Sequence, residues 1–201
     1  MIKNIIFDFG KVLVDFDQRY LYHSIFDDKS EMEYFLNNVC THDWNSSMDL
    51  GKSCADAVKD LQAVYPKYSN EIQTFIDKWD VMLGDILKEN VLVAEKLLKS
   101  GYKVYGLTNW SIETIHHFYR KCPLVNSFHG IVVSSEEGVI KPNAELYKIL
   151  LERYNLKAEE SVFIDDRIDN IETAGKLGFN TIHYQENTNL EELLNTLRVY
   201  T

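Results

Sequence analysis

Apolar residues in the second half of the chain fall in short, regular runs. KVYGLT (103–108), GIVVSS (130–135), SVFIDD (161–166) and NTIHY (180–184) are apolar in the middle and polar at the end, as strands buried on both faces are. Between and after them, apolar positions recur at helical spacing near 111–121, 143–154, 168–178 and 189–198. Strand alternating with helix predicts a parallel sheet with helices on both faces. NIIFD (4–8) has the same character and joins that sheet, although its strand neighbours lie far along the chain. Residues 16 to about 84 differ. QRYLYHSIF, SEMEYFLNNV, KSCADAVKDLQAVY and SNEIQTFIDKWDVML are amphipathic at helical period, with no clear strand among them. LKENVLVAEKLLKSG (87–101) returns as a helix closed by Gly101. The expected fold is α/β: a Rossmann-like parallel sheet built from 1–15 and 86–201, carrying an α-helical insert over 16–85.

The chain has 201 residues, 45% hydrophobic, with 31 acids against 21 bases and a net charge of −10. Nucleic acid is an unsuitable partner, because binding it calls for a basic face. No run of about 18 apolar residues is present, so no membrane span is expected. The opening MIKNIIFDFG has too short an apolar stretch for a signal peptide. Cys40, Cys54 and Cys122 are odd in number, scattered and without metal-ligand spacing. They suit buried thiols in a reducing cytoplasm, the expected location.

In an open parallel sheet, ligands bind at the carboxyl ends of strands. The first strand ends in Asp8 and the second in Thr108-Asn109. The third runs to Ser134-Ser135, followed by EEGVIKP with Lys141. The fourth ends in Asp165-Asp166, with Asn170 four residues on. Singly, each has an ordinary reading: a turn carboxylate, a β-branched strand residue, a lysine preceding a helix start, a solvated turn. Together they suit phosphoryl transfer. A carboxylate can attack phosphorus, a hydroxyl and an ammonium can hold the equatorial oxygens, and paired carboxylates can hold Mg²⁺.

Four segments in order, FDFGKVLVDFD, YGLTNW, GVIKPNAELY and VFIDDRIDNIETAGKLGF, resemble the four motifs of the haloacid dehalogenase superfamily. The resemblance is to the branch whose helical cap is inserted after the first motif, the branch of glucose-1-phosphatases and epoxide hydrolase N-terminal domains. It implies a Mg²⁺-dependent phosphatase that hydrolyses a small phosphorylated metabolite through an aspartyl-phosphate. It implies that Asp8 is the nucleophile and a metal ligand, that Thr108 and, beside it, Asn109 bind phosphate, and that Lys141 binds phosphate and orders the nucleophile. Asp166 matches the metal carboxylate, and Asp165 a second ligand or water-holding acid. Gly10 matches a ligand acting through its backbone carbonyl. Asn170 stands where many members place another acid.

Gly10 is also a departure. Two residues after the nucleophile, phosphatases of this family usually carry a second Asp, which protonates the leaving oxygen and then activates water. Such acid–base help is worth roughly 10²–10⁴ in rate. Three readings follow. The acid comes from elsewhere, with Asp15, Asp17, His42 and Asp43 as candidates; or the leaving group needs little protonation, which favours a sugar 1-phosphate; or the protein is a slow or silent binder of a phosphometabolite. Family members with Gly here include phosphatases. A dehalogenase ranks lower, since those enzymes usually place Tyr at this position and do not need the Asp165-Asp166 pair. A phosphomutase ranks lower too, needing the acid even more. Specificity is expected on the cap, first in THDWNSSMDLGKS (41–53), where Trp44 and Met48 also read as cap core. Oligomeric state is not legible.

Overall fold

The computed structural model describes residues 1–186 and 188–200. In chain order, β1 (Asn4–Phe7) and β2 (Val14–Phe16) are followed by α1 (Arg19–Tyr22), α2 (Lys29–Asn38), α3 (His42–Asp49), α4 (Cys54–Val64), α5 (Ser69–Asp77) and β3 (Leu83–Ile86). Then come α6 (Lys88–Lys99), β4 (Lys103–Thr108), α7 (Ile115–Lys121), β5 (Gly130–Val133), the single turn α8 (Ser134–Glu137) and α9 (Ala144–Arg153). β6 (Ser161–Asp165), α10 (Ile168–Lys176), β7 (Asn180–His183) and α11 (Leu190–Thr196) complete it. Among the described residues no helix is long and apolar enough to cross a membrane.

β5, β4, β1, β6 and β7 form one sheet in that order, every pair parallel. β1 is central: Phe7 lies opposite Gly106 of β4 and Ile164 of β6. The alternation along each strand explains the unbroken apolar runs. Ile5, Phe7, Val104, Val162 and Ile164 pack on one face with α6, α7 and α11, while Ile6, Tyr105, Leu107 and Phe163 pack on the other with α9 and α10. Both faces are covered, so neither set of positions can be polar. Gly106 is required by packing. A Cβ there would fall on the ring of Phe9, which is buried and lies 4.8 Å from the ring of Phe118. Anchoring Phe9 fixes the turn that follows Asp8.

The segment between β2 and β3 is helical. Side-chain caps set its boundaries: Asp28 accepts from Ser30 N, Thr41 from Trp44 N and Ser53 from Asp56 N. Its helices close on a cluster of rings, Tyr22, Phe26, Phe35 and Tyr68, and on the edge-to-face pair Trp44–Phe75. That interior is continuous with the core on the first face of the sheet, through Phe16–Trp79 at 5.7 Å and Trp79–Trp110 at 5.5 Å.

Three local features differ from the sequence reading. Val14–Phe16 and Leu83–Ile86 pair antiparallel as a small second sheet where no strand is expected. They are three and four residues long and far apart in sequence, too short to show a period. The third core strand stops at Val133, and Ser134–Glu137 is a helical turn ended by Gly138 at φ 66°, with Ser134 Oγ donating to the Asp49 carbonyl. Residues 111–114 precede α7 as turns, the Ser111 carbonyl accepting from Thr114 N and Ile115 N.

Phe163 is fully buried on the second face, edge-on to Tyr147 at 5.3 Å. Phe163→Ala is expected to lower the unfolding free energy by about 3–5 kcal/mol. The measure is the urea midpoint at unchanged slope; a loss under about 1 kcal/mol would contradict this packing.

Candidate active site

The carboxyl ends of β1, β4 and β6 bring the four motifs to one edge. Asp8 directly follows β1, its N–H donating to Ile164 O at 2.9 Å, and its Oδ1 accepts from Phe9 N at 2.7 Å. Lys141 comes in from the segment after α8 and is buried. Its Nζ lies 3.0 Å from Asp8 Oδ1, 2.7 Å from Asp165 Oδ2 and 2.8 Å from Leu107 O, which accounts for all three of its donors. The Asn109 side chain brackets the Lys141 peptide: Oδ1 accepts from Lys141 N at 2.8 Å and Nδ2 donates to Lys141 O at 2.9 Å. Asn109 thus holds the lysine that sequence alone places only as a neighbour in function.

Asp165 is wholly buried and fully subscribed. Oδ1 accepts from Arg167 N at 2.8 Å and Asn170 Nδ2 at 2.9 Å; Oδ2 accepts from Lys141 Nζ at 2.7 Å and Asn170 Nδ2 at 3.0 Å. Asp166, half-buried, lies next to it. Oxygens of Asp8, Asp165 and Asp166 come within 4.8 Å of one another. Two polar atoms at this edge are buried with no hydrogen-bond partner, Thr108 Oγ1 and Asn170 Oδ1, and both residues line the cavity described below. Orphaned polar atoms of this kind call for a polar ligand.

The electrostatics lean the same way. Burial pushes the Asp8 carboxyl up to about 7, against the pull of Lys141 and with the push of Asp165 and Asp166. Burial and the Asp165 charge raise Asp166. Burial works against the Lys141 ammonium, but Asp165 and Asp8 outweigh it and hold the group above its ordinary value of 10.5. Three carboxylates share one ammonium, a deficit of positive charge that a divalent cation would fill.

These residues floor a cavity of about 300 Å³. The helical segment lines it too, through His42, Asn45, Ser46, Met48 and Asp49 of α3, with Trp79 and Trp110. Gly10 lines the cavity as well. Its φ lies outside the left-handed region and a Cβ there would meet nothing within 4 Å. The residue of this turn with left-handed backbone is Lys11, at φ 59°. Of the candidate acids, Asp15 is bonded to Lys11 and to the Tyr20 hydroxyl and lines a different cavity. Asp17 accepts from Arg19 N at 2.9 Å and is absent from the cavity lining. The Asp43 side chain is fully exposed. His42 lines the cavity but is largely exposed, its Nε2 3.2 Å from Arg167 Nη1. Asp49 is the carboxyl that sequence reasoning missed. It lies on a helix and not at a strand end, and only its position within 41–53 hinted at it.

The family model for haloacid dehalogenase-like hydrolases matches residues 5–184. The chain belongs to that hydrolase family. Among curated members, it is 31% identical over 208 residues to a glyceraldehyde 3-phosphate phosphatase of Methanocaldococcus jannaschii, covering 90% of this chain and 84% of the relative. It is 24% identical over 203 residues to a D-ribitol-5-phosphate phosphatase of Bacteroides thetaiotaomicron, covering 90% and 91%. A match to a sesquiterpene phosphatase of Aspergillus oryzae, 29% over 104 residues, covers 52% of this chain and half of that protein. Among solved structures, a predicted hydrolase of the family from Porphyromonas gingivalis superposes with TM-score 0.76 at 22% identity over all of both chains. A family enzyme of B. thetaiotaomicron, complexed with magnesium and inorganic phosphate, superposes with TM-score 0.71 at 23% identity over 96% of this chain and 99% of that one. At these identities the two structures speak for the fold.

Lys141→Met removes the ammonium and keeps much of the stem. It is expected to cost about 3–5 kcal/mol of stability at neutral pH, because it strands two buried carboxylates. Since Lys141 is raised above 10.5, its contribution is complete below that pH and is lost as pH climbs through the folded-state value. On the alkaline side the gap between wild type and variant in denaturant midpoint should therefore hold, and narrow only above pH 10.5. A gap that closes as pH rises from neutrality toward that value would contradict the ion-pair assignment.

Proposed function

We propose that this hydrolase is a Mg²⁺-dependent phosphatase that releases phosphate from a small phosphomonoester through an aspartyl-phosphate on Asp8. The observation that carries the reading is the buried Lys141 ammonium held between Asp8 and Asp165, beside the orphaned hydroxyl of Thr108. In this reading an Asp8 carboxylate oxygen attacks phosphorus while the Thr108 hydroxyl holds a phosphoryl oxygen and the Lys141 ammonium orders Asp8 and offsets the phosphoryl charge. Asp165, with no lone pair free, fixes Lys141. Asn109 and Asn170 fix the pair in turn.

The donor set suits a hard cation: carboxylate oxygens of Asp8 and Asp166, with Asp165 behind them and the Gly10 carbonyl in the same turn. Bound there, Mg²⁺ offsets the repulsion between an anionic nucleophile and an anionic phosphate. The orphaned Asn170 Oδ1 lies on the same side and would accept from a metal-held water.

Residues 16–85 act as the cap over a core of 1–15 and 86–201, with α3 as the specificity wall. A cavity of about 300 Å³ suits a small phosphorylated metabolite such as a sugar phosphate. The two full-length relatives, named for glyceraldehyde 3-phosphate and ribitol 5-phosphate, point to the same size of substrate. The finer preference for a sugar 1-phosphate rests on Gly10 alone.

Asp8→Asn keeps the shape and loses the attacking charge. Phosphate release should fall below about a tenth of the wild-type rate, more than ~1.4 kcal/mol of barrier, with the circular dichroism spectrum unchanged. Retention of more than that tenth would reject the covalent route.

Chelation should abolish release and Mg²⁺ restore it, and Asp166→Ala should lose the response. Mg²⁺ should also raise the thermal midpoint of the metal-free protein, a readout independent of turnover. Full activity in excess chelator would overturn the metal assignment and revive the dehalogenase reading.

A further inference from the structure

The residue two after the nucleophile is Gly10, so the motif itself provides no proton for the leaving oxygen. The cavity contains another carboxyl placed for that task. Asp49, the last residue of α3, lines the cavity with Asp8, Thr108 and Lys141. In the phosphatase reading the core residues of that lining take the phosphoryl group, which leaves the α3 residues of the same cavity for the ester oxygen and the alcohol.

Asp49 is built in place from both sides. Asn45 Nδ2 donates to Asp49 Oδ2 at 3.1 Å, and the Ser111 backbone N–H holds the carboxyl from the loop that follows β4. The Asp49 carbonyl accepts from Ser134 Oγ at 2.7 Å, and Ser134 is wholly buried at the end of β5. Gly51, at φ 100°, lets the chain turn hard against the core; a Cβ there would stand 2.9 Å from the Ser135 carbonyl oxygen. The end of α3 is therefore pinned to the same loops that carry the phosphate site.

We propose that Asp49 is the general acid and base of this enzyme, supplied by the cap in place of the acid missing at Gly10. The proposal rests on the phosphatase reading above. In the first step an Asp8 oxygen bonds to phosphorus, the P–O bond to the alcohol breaks, and the Asp49 proton passes to the departing oxygen. The products are the alcohol, the aspartyl-phosphate and ionised Asp49. In the second step water attacks phosphorus and gives its proton to Asp49. The bond to Asp8 breaks, and inorganic phosphate and the starting carboxyl and carboxylate are restored.

The chemistry of the position agrees. Burial pushes the Asp49 carboxyl up to about 7, against the hydrogen bonds from Ser111 and Asn45. The carboxyl also sits at the negative end of its helix, which disfavours ionisation. An acid so tuned is partly protonated at neutral pH and can serve in both directions. Its titratable neighbour is Cys54 at the start of α4, which in turn faces Glu113 after β4; the other charged groups lining the cavity are Asp8, Asp166, Lys11, Lys141, Arg167 and, when protonated, His42.

The test compares kcat/KM, which reports the leaving-group step, for wild type and Asp49→Asn with Mg²⁺. The substrates run from 4-nitrophenyl phosphate through phenyl phosphate to alkyl phosphates. The loss should grow along the series, from less than about tenfold to about 10²-fold or more. With an alkyl phosphate, the wild-type profile should decline as pH rises past the Asp49 value and the Asp49→Asn profile should not. Gly10→Asp placed in the Asp49→Asn background, where the turn has room for a side chain, should recover the alkyl esters most. Asn45→Ala removes a bond that favours ionised Asp49, so the alkaline decline should move to higher pH, a readout that does not require Asp49 to be changed. The same loss for every ester, or an alkaline decline that ignores both Asp49→Asn and Asn45→Ala, would overturn the proposal. No Mg²⁺-dependent release from 4-nitrophenyl phosphate by the wild type would overturn the phosphatase reading itself, and this proposal with it.

Discussion

The ammonium of Lys141 is buried between two carboxylates, and the architecture of the site follows from keeping it there. A lone buried cation would be driven to deprotonate by the cost of desolvation. Asp8 at 3.0 Å and Asp165 at 2.7 Å prevent this, and the Leu107 carbonyl takes the third proton. Those partners come from the ends of three strands, so the ion cluster exists only if β4, β1 and β6 are adjacent and in register. Asn109 pins the lysine peptide from β4, and Asn170 and the Arg167 N–H fill the remaining lone pairs of Asp165 from the start of α10. Each of these contacts removes a freedom that catalysis would otherwise have to remove at the moment of reaction.

Satisfaction is uneven across the site, and the unevenness is informative. Asp165 and Lys141 are saturated by protein groups, whereas Thr108 Oγ1 and Asn170 Oδ1 are buried without partners. Saturated groups hold position; unsatisfied ones wait for something polar to arrive. The excess of carboxylate over ammonium at the same edge gives that arrival a sign, a divalent cation accompanied by an anion.

In the proposed reading the helical segment divides the work with the core. The core edge then supplies charge and hydrogen bonds for a phosphoryl group. The wall formed by α3, Trp79 and Trp110 mixes amide, hydroxyl, thioether and indole surface, the composition of a pocket for the organic part of an ester. Gly10 leaves one task of the core unassigned, and the pinned end of α3 brings another carboxyl, Asp49, into the lining of the same cavity.

The sequence alone determined the strands and their polar ends, because a strand buried on both faces must be apolar throughout and can carry chemistry only where it leaves the sheet. Asp8, Thr108, Lys141 and Asp165-Asp166 were legible for that reason. The helical character of 16–85 was legible from period, and its caps agree with it. The β2–β3 pair was not legible, since its two short strands are matched only by distant partners. Nor were the separate roles of neighbours: Asp165 and Asp166 look alike in sequence, and only packing buries one against Lys141 while leaving the other half-exposed. Asp15, Asp17, His42 and Asp43 stood out in the chain and Asp49 did not. Only tertiary structure shows which of them line the cavity, because that depends on how α3 docks against the loops after β4 and β5. No local pattern in the chain encodes that docking.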